Sequence, residues 1–160
     1  YPLYEKDYYY EVLQYQNHVI GHEGKNSLLS ALIEKDLASD IAASYDHMMH
    51  AFSYFDINIT LTDNGFDNYE QVLEIVWAKI NSLKATEPLE YVYNEYSESC
   101  KLQWKFYEKS DAYSFVTAVS ERMQLFDQSN MCDILTTQYL FNGFNREGII
   151  EAMQYMHPET

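Results

Sequence analysis

The sequence has few cysteines and no apolar run that is long enough to cross a membrane. Its two cysteines, Cys100 and Cys132, form no C-x-x-C pair, and two cysteines in a chain of this length do not suggest a disulfide scaffold. We therefore expect reduced, buried thiols in an intracellular, cytoplasmic protein. No stretch approaches the roughly 20 apolar residues of a membrane helix, and we see no charged-then-apolar leader of the secretory kind. A membrane is not an expected partner.

Basic residues are also scarce. Ten Lys and Arg side chains stand against 25 Asp and Glu, which gives a formal net charge of −15. A field of that sign repels phosphate backbones, so nucleic acid is not an expected partner either. The same field attracts cationic ligands such as basic peptides. Taken alone, however, the charge is explained most simply by solubility, since net charge governs association and not fold.

Catalytic signatures are missing as well. The chain contains no G-x-S-x-G elbow, and neither cysteine has a recognisable activating neighbour. The stretch "HVIGHEG", His18 to Gly24, has the letters of a zinc-protease motif in the wrong order. On a helix His18 and His22 would share a face, but Glu23 lies about 100° around from His22 and cannot stand between them as a general base.

Zinc would also need three or four converging ligands. His47 and His50 are the other histidines that could supply them. The alternative is that all four histidines are ordinary polar residues near the surface. We expect no catalytic residue and no metal in this chain.

What the chain does contain is the pattern of a folded domain, with 47% hydrophobic and 16% aromatic residues. The segment "KNSLLSALIEKDLA" has helical spacing, and Asn26 or Ser27 can cap it. In "FDINITLT" apolar and polar residues alternate, which predicts a half-buried strand. The preceding "SDIAASYDHMMHAF" is compatible with a strand that pairs with it. The tyrosine-rich Tyr8–Tyr15 leads into the histidine stretch, and we expect it to be helical.

Helices follow the strand pair. Asp67 with Glu70 resembles a capping box. It precedes an apolar stripe of a helix that would lie on the sheet. No strand is expected after Glu87. The apolar stripes predict helices around Val72, Val76, Ile80 and Leu83; around Leu89, Tyr93, Tyr96, Cys100, Trp104 and Tyr107; around Phe115, Val119, Met123 and Phe126; and around Ile149, Met153 and Met156.

The predicted fold class is α+β, with an antiparallel sheet covered by helices on one face. Residues 1–160 read as a single domain. Since two strands alone are marginally stable, we expect further strands before Tyr1 and after Thr160, and hence a fragment of a larger multidomain protein.

At "HVIGHEGKNSLLSALIEKDLA" the chain resembles the M16, or insulinase-type, zinc metallopeptidases. The resemblance continues through "FSYFDINITLTDNGFDNYEQVLEIVWAKINSLK", "MQLF" and "DILTTQYLF", and it is nearest to the nardilysin and insulin-degrading branch. Members have four related domains around a peptide-sized chamber, and the first domain carries H-x-x-E-H and zinc. This chain resembles the second, non-catalytic domain.

The resemblance places the equivalent of the catalytic motif at Gln14–His18. Gln14 then stands in the place of the first histidine and Asn17 in that of the glutamate, so that only His18 is kept. With neither base nor ligand set, the chain alone is predicted to be inactive. The resemblance implies no cofactor in this chain and zinc in the catalytic domain of the parent enzyme.

In insulin-degrading relatives the HEG block and a nearby edge strand form an exosite that anchors a substrate's N-terminus. The resemblance assigns that role here to His18, Gly21, His22, Glu23 and Gly24, with Ile41, Ala43 and Tyr45 in the edge strand. It implies peptide substrates, with cationic ones favoured by the charge, and the other domains of the parent peptidase as partners.

Two departures from the family pattern lie in this site. Ala42, Ala43 and Ser44 occupy an edge segment where the family tends to have glycines, and Asn26 replaces the glycine usual after HEG-x. Since these changes could weaken the anchoring strand, the alternative is a structural or interaction subunit of the same fold without peptidase activity.

Overall fold

The computed structural model of the chain describes residues 12–48, 52–125, 128–136, 139 and 141–158, with backbone only at 47, 48, 125, 129 and 130. The helix predicted over Tyr8–Tyr15 therefore lies partly outside the described residues. In chain order the elements are α1 (Val12–Ile20), α2 (Leu28–Glu34), β1 (Ala38–Met48), β2 (Phe52–Leu61), α3 (Asp63–Asp67), α4 (Tyr69–Ala85), α5 (Glu90–Lys105), α6 (Ala112–Leu125), a 3₁₀ helix (Gln128–Asp133) and α7 (Arg146–Gln154).

The strands β1 and β2 pair antiparallel, with Ile41 opposite Ile59 and Tyr45 opposite Phe55. An irregularity between Ala38 and Asp40 shifts the register at the start of β1. Within the described residues these two strands make up the whole sheet. The edge of β1 that faces away from β2 is therefore not paired with any described strand.

One face of this hairpin is packed and the other is wet. Ile41 is buried and Ala43, Phe55 and Ile57 pack on the core, while Ala42 and its outward-facing neighbours are exposed. The core is formed mainly by α1, α2, α4 and α7 against the inner face of the sheet. The α+β class with helices on one face is confirmed, as are the predicted stripes of α4 and α7, in which Val72, Val76, Ile80, Ile149 and Met153 are buried.

Three details differ from the sequence-based expectations. The capping box at Asp67 is wrong, because Asp67 is the last residue of α3 and α4 begins after Asn68 without a side-chain cap. Thr62 instead caps α3, where its hydroxyl accepts a hydrogen bond from the Gly65 amide at 3.0 Å. A hydroxyl three residues before an amide is enough to cap a helix. The spacing of the apolar residues gives no sign of such a cap.

The stripe predicted for α6 is helical but not buried. Phe115 is 43% exposed and Met123 is 52% exposed, while Phe126 lies outside the described residues. The thiols also differ from expectation. Both are free, but only Cys100 is buried, whereas Cys132 is exposed in the 3₁₀ segment. Among the described residues no helix has the length and apolar character that crossing a bilayer requires.

Candidate functional site

The histidine stretch marks the end of α1 and not its middle. Ile20 is fully buried and is the last residue of the helix, and the Gly21 amide donates one more hydrogen bond to the Asn17 carbonyl at 2.9 Å. His22 therefore lies beyond the helix, in the loop. The centroids of the His18 and His22 rings are 6.2 Å apart. A shared helical face for both histidines is thus wrong, although the two rings remain neighbours.

The loop that follows is held at both ends. The Gly24 carbonyl accepts a hydrogen bond from the Ser27 amide at 3.1 Å, and the Ser27 hydroxyl caps α2 by accepting from the Ser30 amide at 3.0 Å. Asn26 has φ 65°, a left-handed conformation that asparagine tolerates better than most residues. The Asn26 carbonyl also accepts a hydrogen bond from the Lys79 ammonium of α4 at 3.0 Å. Asparagine thus takes the place of the family's glycine with the turn intact.

The two glycines of the loop are explained by contacts within the chain itself. A β-carbon on Gly21 would lie 3.0 Å from the Asn17 carbonyl oxygen and 3.5 Å from the β-carbon of Ala43. A β-carbon on Gly24 would overlap the His22 imidazole, which folds back over the loop. Glycine at both positions lets the loop pack closely on β1 and lets His22 lie against the backbone.

The contact between Gly21 and Ala43 brings the two halves of the predicted site together. Ala43 lies in the middle of β1, the strand whose second edge is unpaired among the described residues. Ile41 is only 4% exposed and belongs to the core. Ala43 and Tyr45 are half-buried on the same inner face. The side chains of these three residues therefore face the core more than solvent.

The groups available to a ligand are at the outer side of the loop. His22 and Glu23 are exposed, and Gly21 and Gly24 are half-buried. Within the described part of the chain Glu23 forms no ion pair. An exposed carboxylate such as that of Glu23 can accept charge-assisted hydrogen bonds from a cationic group.

His18 is the more buried of the two histidines of the site. Its imidazole is half-buried and lies 5.2 Å, centroid to centroid, from the Tyr96 ring of α5. Burial is the main cause that lowers the pKa of His18, the neighbouring His22 lowers it further, and Glu95 acts in the opposite direction. Near neutral pH the imidazole is therefore neutral.

Tyr96 is the residue of this region that sequence reasoning missed. In the sequence Tyr96 is one member of the apolar stripe of α5, and no local pattern links it to the histidines. The structure brings it to α1, where the Gln14 side-chain amide donates a hydrogen bond to its hydroxyl across 82 positions of sequence. A contact of that sequence separation leaves no signal in a single chain.

A zinc site does not fit the residues present. Gln14 is engaged with Tyr96, and Asn17 carries an amide whose buried oxygen has no hydrogen-bond partner among the described residues. Neither is an ionisable ligand or base. Among the described residues no three His, Cys, Asp or Glu side chains come together in a metal-binding arrangement. The side chain of His47 and the whole of His50 lie outside the described residues.

Comparisons with known proteins identify the family. The family described as "Peptidase M16 inactive domain" matches residues 1–96. The chain is 30% identical to insulin-degrading enzyme of Drosophila melanogaster over 139 residues, which are 87% of this chain and 14% of that protein. It is 28% identical to nardilysin of Rattus norvegicus over 162 residues, or 99% of this chain and 14% of that protein. For human insulin-degrading enzyme the identity is 26%, over 91% of this chain and 14% of that protein.

The fold has a solved counterpart. The crystal structure of pitrilysin superposes with a TM-score of 0.85 at 17% identity, covering 96% of this chain and 16% of that one. The chain therefore spans about one seventh of the length of its M16 relatives. The family match, the relatives and the fold agree, and the chain belongs to the M16 peptidase family, in the part described as the inactive domain.

Proposed function

We propose that the chain is a non-catalytic, peptide-anchoring domain of an M16 zinc metallopeptidase, formed by residues 1–160 as a single unit of a larger multidomain enzyme. The observation that carries this proposal is the closeness of Gly21 to Ala43, since an added β-carbon on Gly21 would lie 3.5 Å from that of Ala43. The HEG loop, Gly21 to Gly24, thus lies near β1, whose second edge is unpaired among the described residues. A bound peptide would add to β1 through main-chain hydrogen bonds, which tolerate many sequences.

The end of that peptide meets the loop. A free α-ammonium group approaching Glu23 would form a charge-assisted hydrogen bond, which is stronger than a bond between neutral groups. Neutral His18 adds no positive charge that would repel the ammonium. His22 and the glycine backbone of the loop would form the remaining wall of the anchor.

Cationic peptides are the substrate class that the charge favours. Besides the net charge of −15, the wet face of the hairpin carries Asp56, whose carboxylate accepts a hydrogen bond from the Ser44 hydroxyl at 2.5 Å. Asp46 is exposed on the same strand as Ser44. Basic side chains of a peptide on β1 would point toward this face at alternate positions.

Calorimetric titration tests the anchor with a basic peptide whose N-terminus is free or acetylated. The free peptide should bind more tightly. Glu23→Gln should weaken its binding by about 1–3 kcal/mol, or roughly 5- to 150-fold, since a charge-assisted bond is lost. Glu121→Gln on the exposed face of α6 removes the same charge away from the site and should leave the affinity unchanged. Equal affinity for the two peptides, or no binding, would count against the anchor.

A second function, that of a structural subunit without peptide handling, is favoured by one observation. Ala42, Ala43 and Ser44 form a regularly paired stretch of β1 in place of the family's glycines, so the edge is less adaptable. The coding sequence upstream of Tyr1 distinguishes a peptidase domain from a structural subunit. An H-x-x-E-H segment about one domain length before Tyr1 supports the peptidase and a parent zinc site, and a parent gene without that segment supports the subunit.

A further inference from the structure

Four neighbouring rings, those of Phe141, Tyr96, His18 and His22, form a column that leads to the HEG loop. Phe141 stacks on Tyr96 with centroids 5.7 Å apart and planes 12° from parallel. Tyr96 lies 5.2 Å from His18, and His18 lies 6.2 Å from His22. His22 in turn covers Gly24 so closely that no β-carbon fits there. The column thus ends on the backbone of the loop.

Tyr96 is the member of the column that is fixed from outside the loop. Its hydroxyl accepts a hydrogen bond from Gln14, one helical turn before His18 on α1, and its ring stacks on Phe141. The start of α5 is tied to α1 as well, because the Leu89 amide donates a hydrogen bond to the Tyr15 hydroxyl at 2.9 Å. These contacts leave the Tyr96 ring little freedom relative to α1.

We propose that Tyr96 is a positioning residue for the peptide anchor: it holds His18 in place, and through His18 and His22 it fixes the loop that presents Glu23. This inference rests on the proposed function and adds a residue to it that lies outside the HEG block and the edge strand. Tyr96 touches no peptide itself. Aromatic rings at these separations attract one another beyond the effect of the area they bury, and this attraction restricts a glycine-containing loop.

The surroundings of His18 supply a readout that belongs to this role. The charged and titratable groups that face it are His22 from the loop, with Glu95 and Tyr96 from α5. Burial is the first cause of its lowered pKa. Loss of the Tyr96 ring should therefore raise the pKa of His18 toward the ordinary value, whereas a loss of global stability alone would not move it in the folded protein.

The experiment compares Tyr96→Ala with Tyr96→Phe and with Tyr91→Ala, a control on the same helix whose ring is 66% exposed. The His18 pKa is measured by NMR titration, and the ratio of the affinities for the free and acetylated basic peptides by calorimetry. In Tyr96→Ala the pKa should rise and the affinity ratio should fall at least about twofold, the lower end for residues in contact. Tyr96→Phe loses the hydrogen bond from Gln14 but keeps the ring that stacks on Phe141, so both changes should be smaller than in Tyr96→Ala. Tyr91→Ala should stay near wild type in both.

The outcomes separate the two proposals. A folded Tyr96→Ala protein with unchanged pKa and unchanged ratio overturns the positioning role. If the wild-type chain does not distinguish the two peptides, the anchor fails, and the His18 pKa then decides on its own whether Tyr96 holds His18. If circular dichroism shows that Tyr96→Ala does not fold, Tyr96→Leu keeps most of the volume without the ring and is judged by the same two measurements.

Discussion

Two regions of the molecule are both helical but are held together differently. The packed half consists of the described residues of 12–85 together with α7, and the outer arm consists of α5 and α6. In the described residues no fully buried member of the main core cluster lies between Ile80 and Ile149. α5 buries Tyr93, Ser97 and Cys100, whereas none of the described side chains of α6 is fully buried. The helices of the arm are therefore supported by fewer buried side chains than the helices of the packed half.

The arm also exposes large apolar side chains. In the arm Tyr113 is 82% exposed and Val116 is 60% exposed, and Phe106 beyond the end of α5 is exposed as well. Single exposed apolar residues are normal in proteins, but a cluster of large ones is typical of a contact surface. The arm therefore presents apolar surface that the described residues do not cover, and the packed half does so as well at Phe66, Tyr69 and Leu73. The two regions thus differ in their buried cores more than in their exposed surfaces.

The candidate site lies on the border between these regions. The HEG loop and β1 belong to the packed half, and the arm contributes the first half of α5 through Tyr93 and Tyr96. Tyr93 lies 5.6 Å from Phe144, which leads into α7. The arm is thus joined to the packed half by aromatic contacts near the site and becomes progressively less buried beyond Cys100.

The largest expected effect contrasts two leucines. Leu32→Ala in α2 should lower the free energy of unfolding by about 2–5 kcal/mol, because Leu32 is fully buried and its loss leaves a cavity. Leu102→Ala in α5 deletes the same atoms from a side chain that is 56% exposed and should change it by less than about 0.5 kcal/mol. Urea denaturation followed by circular dichroism measures both. Similar losses at the two positions would show that the arm has a core of its own.

A smaller effect contrasts the two helix caps. Ser27→Ala removes the cap of α2 and should cost about 1 kcal/mol of global stability, because α2 unfolds together with the core. Asp111 caps α6 by accepting from the Ser114 amide at 3.0 Å. Asp111→Ala should speed amide hydrogen exchange within α6 while the urea midpoint of the whole protein stays unchanged. A shift of that midpoint would mean that α6 unfolds cooperatively with the packed half.

The smallest expected effect concerns the pH range in which His18 changes the stability of the protein. The folded-state pKa of His18 is lowered from 6.5, so the folded state binds this proton less readily than the unfolded chain. Stability should therefore fall as the pH drops below about 6.5 and through the lowered pKa, and remain reduced below it. Urea midpoints at pH 7.5 and 5.5 should differ less in His18→Gln than in wild type. An equal difference in both proteins would contradict the assignment.

The arm should respond in another window. The Ser114 hydrogen bonds are the main cause of the lowered pKa of Asp111. The stabilisation that this carboxylate gives to α6 is present above the ordinary pKa of 3.8 and is lost as the pH falls through the lowered one. NMR shifts of the α6 amides should report this change in wild type and not in Asp111→Asn.

Local patterns predicted most of the packed half correctly. The alternation of Phe55, Ile57 and Ile59 identified β2, and the spacing of Val72, Val76 and Ile80 identified α4 and its buried face. Both signals are repeats within a few residues, set by the geometry of the strand and the helix. The same reasoning was wrong about burial in α6, because a stripe such as that of Phe115 and Met123 shows which face is apolar and not whether anything covers it.

The site was predicted from its loop and only in part. The HEG block and its edge strand were named from the family resemblance, and in the structure Gly21 lies near Ala43. Whether a peptide binds there stays a prediction. The sequence did not indicate that His22 lies outside α1, or that Ile41 is closed off in the core, since both depend on where the helix ends and on what packs over the strand.

The sequence by itself determined the class of the fold, the order of the helices and strands, and the family, because periodicity and short motifs are written in neighbouring residues. The tertiary structure alone decided that Tyr96 meets Gln14 and His18, and that the glycines of the loop serve close packing on His22 and β1. Those contacts join positions far apart in the chain, and their energy appears only when the chain has folded and brought them together. "HVIGHEG" is thus the end of α1 followed by a loop, which packs close to Asn17 and Ala43 and against its own His22.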